Sequence, residues 1–168
     1  MNSNLKLIVS ILVIGLLGLL VSGCAATITR NADGSLTVET SMTADSLQSE
    51  LTAAIADPLI QDLTVQLQSG YIDVSATRKR LNSDQTDSLT FRLDLGVSNG
   101  HLTASISNAL LDGQPLEANR VAEWNGRIAN RLEQFGQRRA NSSLQSVSVT
   151  NQAITMTWHV ETARSQGN

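Results

Sequence analysis

The chain has 168 residues, with 15 Asp plus Glu against 12 Lys plus Arg, one Cys, two His, and only two Trp, one Tyr and two Phe for aromatic side chains. One cysteine excludes a disulfide framework or a thiolate zinc site, and a formal charge of −3 excludes the basic field that nucleic acid requires. A length of this order predicts a single domain.

The first predicted element is a leader, residues 1–23. Lys6 is the only charge ahead of an apolar run from Leu7 to Leu20 (LIVSILVIGLLGLL), which meets small residues at Ser22 and Gly23. As a helix the run spans about 21 Å, short of the roughly 30 Å hydrocarbon core of a bilayer. It therefore reads as a signal peptide's apolar region, the alternative being an uncleaved anchor extended through Val21. Val21-Ser22-Gly23-Cys24 resembles the lipobox of bacterial lipoproteins, in which an aliphatic residue, a small residue and Gly or Ala precede a Cys. That resemblance implies cleavage between Gly23 and Cys24, diacylglycerol on the Cys24 sulfur, and a protein exported and anchored to a bacterial membrane. Ala25, where the family's retention signal would be Asp, implies the periplasmic face of the outer membrane in a two-membrane envelope and the outer face of the cell membrane otherwise. The alternative for Cys24 is a small buried hydrophobe.

Without Lys6, 11 basic side chains remain against 15 acidic ones, a balance of −4. Two or three acyl chains, each buried CH₂ contributing about 0.8 kcal/mol, anchor stably where one is marginal. Residues 24–27 are expected to be the lipidated Cys and a short tether, 28–161 one domain, and 162–168 a disordered tail.

The domain opens with an expected hairpin, Thr27–Asn31 and Ser35–Thr40, aligning Ile28 with Val38 through a three-residue loop. Thr43 then caps a helix over Ala44–Ala56, with Leu47, Leu51 and Ile55 on one face and Asp57-Pro58 as its stop. Asp62–Gln68 and Tyr71–Thr77 flank Ser69-Gly70, and a two-residue loop sets Leu67 against Ile72, Val65 against Val74 and Leu63 against Ala76. After a polar loop, Arg78–Asp87, the strands Ser88–Ser98 and His101–Asn108 flank Asn99-Gly100. That turn sets Val97 against Leu102, Leu95 against Ala104 and Leu93 against Ile106. A second helix is expected over Glu117–Arg139 on a stripe of Val121, Trp124, Ile128, Leu132 and Phe135, with Arg120, Arg127, Arg131 and Arg138 largely off it. Leu144–Thr150 and Ala153–Val160 close the chain as a hairpin pairing Val149 with Ile154 and Val147 with Met156.

These elements predict an α+β fold, a curved antiparallel sheet of about eight strands in hairpins with two amphipathic helices on one face, in ββαββ-ββαββ order. The stretch from Thr43 to Glu117, ending in Asp112-Gly113-Gln114-Pro115-Leu116, resembles bacterial envelope proteins of the LmeA and YpmS kind. That resemblance implies a tubular lipid-binding type of fold and a lipid or other apolar ligand between helix and sheet, without naming a ligand-binding residue.

No catalytic residue, metal ligand or cofactor is predicted. His101 and His159 lack an HExxH partner or a nucleophile elbow, and Asp73, Asp94, Asp45 and Glu50 stand singly. Trp124 reads as core, with a ligand platform as its alternative. Arg78-Lys79-Arg80 reads as a solvated loop, with a contact to anionic headgroups as its alternative. Asn141-Ser142-Ser143 matches a glycosylation acceptor that a bacterial lipoprotein leaves idle. Two functions follow as expectations. One is a membrane-anchored, non-enzymatic lipoprotein sheltering an acyl chain. The other is an accessory contacting another envelope protein through a strand edge or the polar sheet face.

Overall fold

The computed structural model describes residues 24–136 and 141–162. The predicted leader with Val21, Ser22 and Gly23, the last turn of the predicted second helix, and the tail beyond Thr162 lie outside the described residues.

Strand β1 (Cys24–Arg30) pairs antiparallel with β2 (Leu36–Met42), with Ile28 opposite Val38 as the three-residue loop requires. Gly34 takes φ +88°, and the Asp33 Oδ1 accepts from the Ser35 N–H at 2.9 Å and its hydroxyl at 2.6 Å, closing the turn. The strand starts at Cys24, so residues 24–27, expected as a tether, are paired with Met42 through Glu39. Ala25-Ala26 carries no polar–apolar contrast, and alternation therefore gave no sign of pairing there.

Thr43 caps helix α1 (Ala44–Ile55), its Oγ1 accepting from the Ser46 N–H at 3.3 Å. Ala56 ends it in the left-handed region at φ +50°, its N–H returning to the Thr52 carbonyl. Strands β3 (Ile60–Gln68) and β4 (Tyr71–Lys79) follow with Leu67 opposite Ile72 and Val65 opposite Val74. The expected Leu63–Ala76 pair is modified. Between Gln61↔Thr77 and Thr64↔Ser75 the register shifts, so Asp62, at φ +50°, and Leu63 together face Ala76 across a bulge.

β5 (Thr86–Ser98) and β6 (His101–Leu111) meet through Asn99-Gly100 with both residues at positive φ, +54° and +78°, the geometry of a type I′ turn. Val97, Leu95 and Leu93 face Leu102, Ala104 and Ile106. Asp112 and Gly113 repeat that turn conformation and lead into a short strand, β7 (Gln114–Pro115), on the edge of β6. Helix α2 (Ala118–Gly136) buries Trp124, Ile128 and Leu132. β8 (Ser142–Val149) and β9 (Ile154–Val160) complete the chain, with Val149 opposite Ile154 and Val147 opposite Met156.

Among the described residues the fold is α+β with two helices and nine strands, and it corrects the expectation of one sheet. Two open antiparallel sheets form, a four-stranded one in the order β1-β2-β9-β8 and a five-stranded one in the order β3-β4-β5-β6-β7. The first and last hairpins join because β2 pairs with β9, Val38 opposite Trp158 and Met42 opposite Ile154. Each helix carries the chain from one sheet to the other, and a hairpin's own alternation is silent about which neighbour it will find. The sheets touch where the turns of the larger one meet β8: the Gly70 N–H donates to the Val149 carbonyl at 3.0 Å, and the Leu144 N–H donates to the Gly100 carbonyl at 2.8 Å.

Helix α2 lies against β6, and α1 against β3 and α2. The helices are also joined by Arg131 to Glu50, and the Asn125 amide oxygen accepts from the Ile106 N–H at 2.8 Å. One apolar core links both sheets and both helices. No helix among the described residues is long and apolar enough to cross a membrane.

Candidate binding face

The residues singled out in the sequence are dispersed. Cys24 is the first residue of β1, at the end of the four-stranded sheet that also carries Met42, Ile154 and Val149. His101, largely exposed at the start of β6, places its Nδ1 2.8 Å from a Glu133 carboxylate oxygen on α2. His159 lies in β9 between Thr37 and Ser143. Among the described residues no three His, Cys, Asp or Glu side chains gather where a metal ion could be held. Trp124 is core, 4% exposed, its ring tilted against Phe91 at a centroid separation of 6.0 Å.

The basic loop is tied into the protein. Arg78 reaches Asp57 at 3.4 Å, while Arg80 bonds Asp87 at 2.5 Å and Asp112 at 3.2 Å, holding the β4–β5 loop against the β6–β7 turn. Asp87 is one of two buried polar residues among those described, and a half-exposed arginine offsets its burial.

The space expected to hold an apolar ligand, between the helices and the five-stranded sheet, is occupied by side chains. Leu47 and Leu51 of α1, Ile128 and Leu132 of α2, and Ile72 and Leu93 of the sheet are each at most 1% exposed and belong to one contiguous core. Each such residue contributes roughly 1.5–3 kcal/mol by leaving water.

The opposite face of the same sheet mixes polar side chains with the Tyr71 and Leu110 surfaces and forms an open depression of about 560 Å³. Pairing aligns one lining side chain per strand across it, Gln66 on β3 beside Asp73 on β4 and Arg92 on β5, and on β6 the lining residues Asn108 and Leu110 follow Ser107, the partner of Arg92. Neighbouring strands lie about 4.8 Å apart, so the row presents a hydrogen-bonding group at each such step. The Arg92 guanidinium lies 4.1 Å from the centroid of the Tyr71 ring, and its Nε and Nη2 hold the Asp94 carboxylate at 3.0 and 2.6 Å. The hydrogen bond to Asp94 raises the Arg92 pKa, and the negative charges of Asp94 and Asp73 add to it. Toward the far side of the depression, Thr90 pairs with Leu110 across a bulge in which Asn108 takes φ +53°.

Strand alternation placed Asp73 and Asp94 on the outward face as single acids. The link between β4 and β5, which sets Asp73 beside Arg92, was unreadable because the polar stretch expected as the loop Arg78–Asp87 leaves the register open; the structure corrects that loop to residues 80–85, with Arg78 paired to Asp87 and Lys79 to Thr86. The available signal was Arg92-x-Asp94, two opposite charges on one face of a strand.

No protein-family model, curated protein or solved structure matches the chain.

Proposed function

We propose that this protein is an exported bacterial lipoprotein, acylated at Cys24, that works without catalysis as an accessory at the envelope, meeting its partners through exposed sheet surface. The observation that carries the accessory reading is the closed packing of Leu47, Leu51, Ile72, Leu93, Ile128 and Leu132 where an acyl chain would otherwise lie. A binder of apolar ligands needs an enclosed cavity of some 300 Å³ or more lined mainly by apolar groups, whereas the 560 Å³ depression opens to solvent and mixes polar side chains with Tyr71 and Leu110.

The anchor rests on Val21-Ser22-Gly23-Cys24 behind a single lysine and an apolar run. Pairing from Cys24 onward supports a domain seated directly on the lipid surface. The lipid-carrier reading goes with a finer architecture, a curved sheet wrapping a helix and a ββαββ unit used twice, and draws on the helix-hairpin-hairpin order from α1 to β6.

Intact-mass analysis of protein from its native host tests both parts. A species starting at residue 24 with diacylglycerol on sulfur, and no further lipid released by organic extraction, is expected. A chain retaining its leader, or an unmodified thiol at residue 24, overturns the anchor. Stoichiometric extractable lipid overturns the accessory reading in favour of the carrier.

A further inference from the structure

The depression on the outer face of β3–β6 combines features that narrow the ligand it suits. Gln66, Asp73, Thr90 and Asn108 line it, and their side chains make no hydrogen bond among the described residues. Nearby polar groups are spent on each other, Thr64 on Ser75 at 2.7 Å and Arg92 on Asp94. The unspent groups are planar amides and a carboxylate, each able to bond two adjacent hydroxyls at once, plus one hydroxyl.

Charge and shape then exclude alternatives. Arg92 is already engaged by Asp94 in a forked contact, and Asp73 adds a further negative charge, so an anion finds no free cation. The only large apolar surfaces are the half-buried Tyr71 ring and Leu110, 36% exposed, too little for an acyl chain. Strand addition uses an open edge, here the outer side of β3, whereas β4 and β5, which carry Asp73, Thr90 and Arg92, are paired on both sides, so a strand added there would leave the centre of the depression uncovered.

We propose that this depression binds a glycan, a polyhydroxylated chain laid across the strands, with Gln66, Asp73 and Asn108 taking hydroxyl pairs and the Tyr71 and Leu110 surfaces meeting the apolar faces of sugar rings. The row of one polar group per strand suits a ligand that itself repeats. Asp73 favours sugars bearing an amine over neutral ones and disfavours uronic acids. The proposal names a ligand for the accessory reading but does not depend on acylation of Cys24, so either stands if the other fails.

The test uses the full chain in micelles of a non-glycosidic detergent, titrated by NMR with three hexasaccharides: chitohexaose, its deacetylated glucosamine counterpart, and hexagalacturonate. Shifts confined to the face of Gln66, Asp73 and Arg92 are expected with the first two at probe concentrations of about 1 mM, and none with the third. Asp73→Asn should remove the preference for the amine-bearing probe. The Gln66→Ala/Asp73→Ala double variant should weaken both by about tenfold. Neither side chain is hydrogen-bonded among the described residues, so the double variant should keep its fold, its melting temperature lowered at most by the lost attraction between Asp73 and Arg92, which separates lost binding from lost folding. Absence of binding by the first two probes, unaltered affinity in the double variant, preference for the uronic acid probe, or saturation of the face by a Gly-Ser decapeptide alone would overturn the proposal.

Discussion

At the scale of single residues, Asp33 shows how a turn uses a carboxylate. Its Oδ1 accepts the Ser35 hydroxyl and N–H, and these bonds hold its pKa below the ordinary aspartate value, with a smaller attraction from His159 across the sheet. A pKa lowered by folding means that the contribution is complete above the unfolded value of about 3.9 and is lost as pH falls through the folded one. We expect a carboxyl NMR titration to place the Asp33 midpoint below 3.9, and Ser35→Ala to move it upward. A midpoint unchanged by the substitution would show the turn is held another way. Trp158 makes a different residue-scale point. It is 1% exposed, its indole N–H has no partner among the described residues, and a Cβ built on Gly136 would stand 2.8 Å from its ring. A glycine near the end of an apolar helical stripe is thus explained by a tryptophan 22 positions later, which periodicity in α2 does not convey.

At the scale of elements, the hairpins are the best-determined parts, and their turns divide into two kinds. Gly70 and Gly100 both sit at positive φ, yet a Cβ on Gly70 meets nothing within 4 Å, while one on Gly100 meets the Ser143 Cβ at 3.1 Å. Gly70→Ala should therefore cost only the backbone term, about 1–2 kcal/mol. Gly100→Ala should cost more, by about 1 kcal/mol, because it also pushes β8 away from the β5–β6 turn where the Leu144 N–H is bonded. Urea unfolding of the two variants gives the difference directly; equal losses would mean that the sheet contact at Ser143 is slack. The registers of the β3–β4, β5–β6 and β8–β9 hairpins were legible beside their turns because two-residue turns leave no freedom once the apolar faces are matched, and that of β1–β2 followed from a three-residue loop. The bulges at Asp62 and Asn108 were not, since an extra residue changes neither the composition of a strand nor the sign of its turn.

At the scale of the whole molecule, the pairing of the four-stranded sheet orients the protein. Cys24 shares one end with Met42, Ile154 and the Asn151-Gln152 turn, and the Ala32–Gly34 turn lies at the other, about 20 Å away at about 3.3 Å per residue. If Cys24 is acylated, a fluorophore on Gln152→Cys in the anchored chain should be quenched by nitroxide lipids, and one on Ala32→Cys should not. The reverse order, or equal quenching, would sink this orientation while leaving the acylation itself to mass analysis. The amino-acid sequence by itself determined both described helices, the strands other than β7 and the first residues of β1, and the registers within hairpins up to their bulges, because these depend on periods of two and 3.6 residues and on turn chemistry within a few positions. Tertiary structure alone decided that the hairpins divide between two sheets, that β2 meets β9, and that Gln66, Asp73 and Arg92 form one row. Any antiparallel hairpin with one apolar face can accept many neighbours, and only simultaneous closure of the shared core, with Met42, Trp158, Ile128 and Leu93 all withdrawn from water, selects among them.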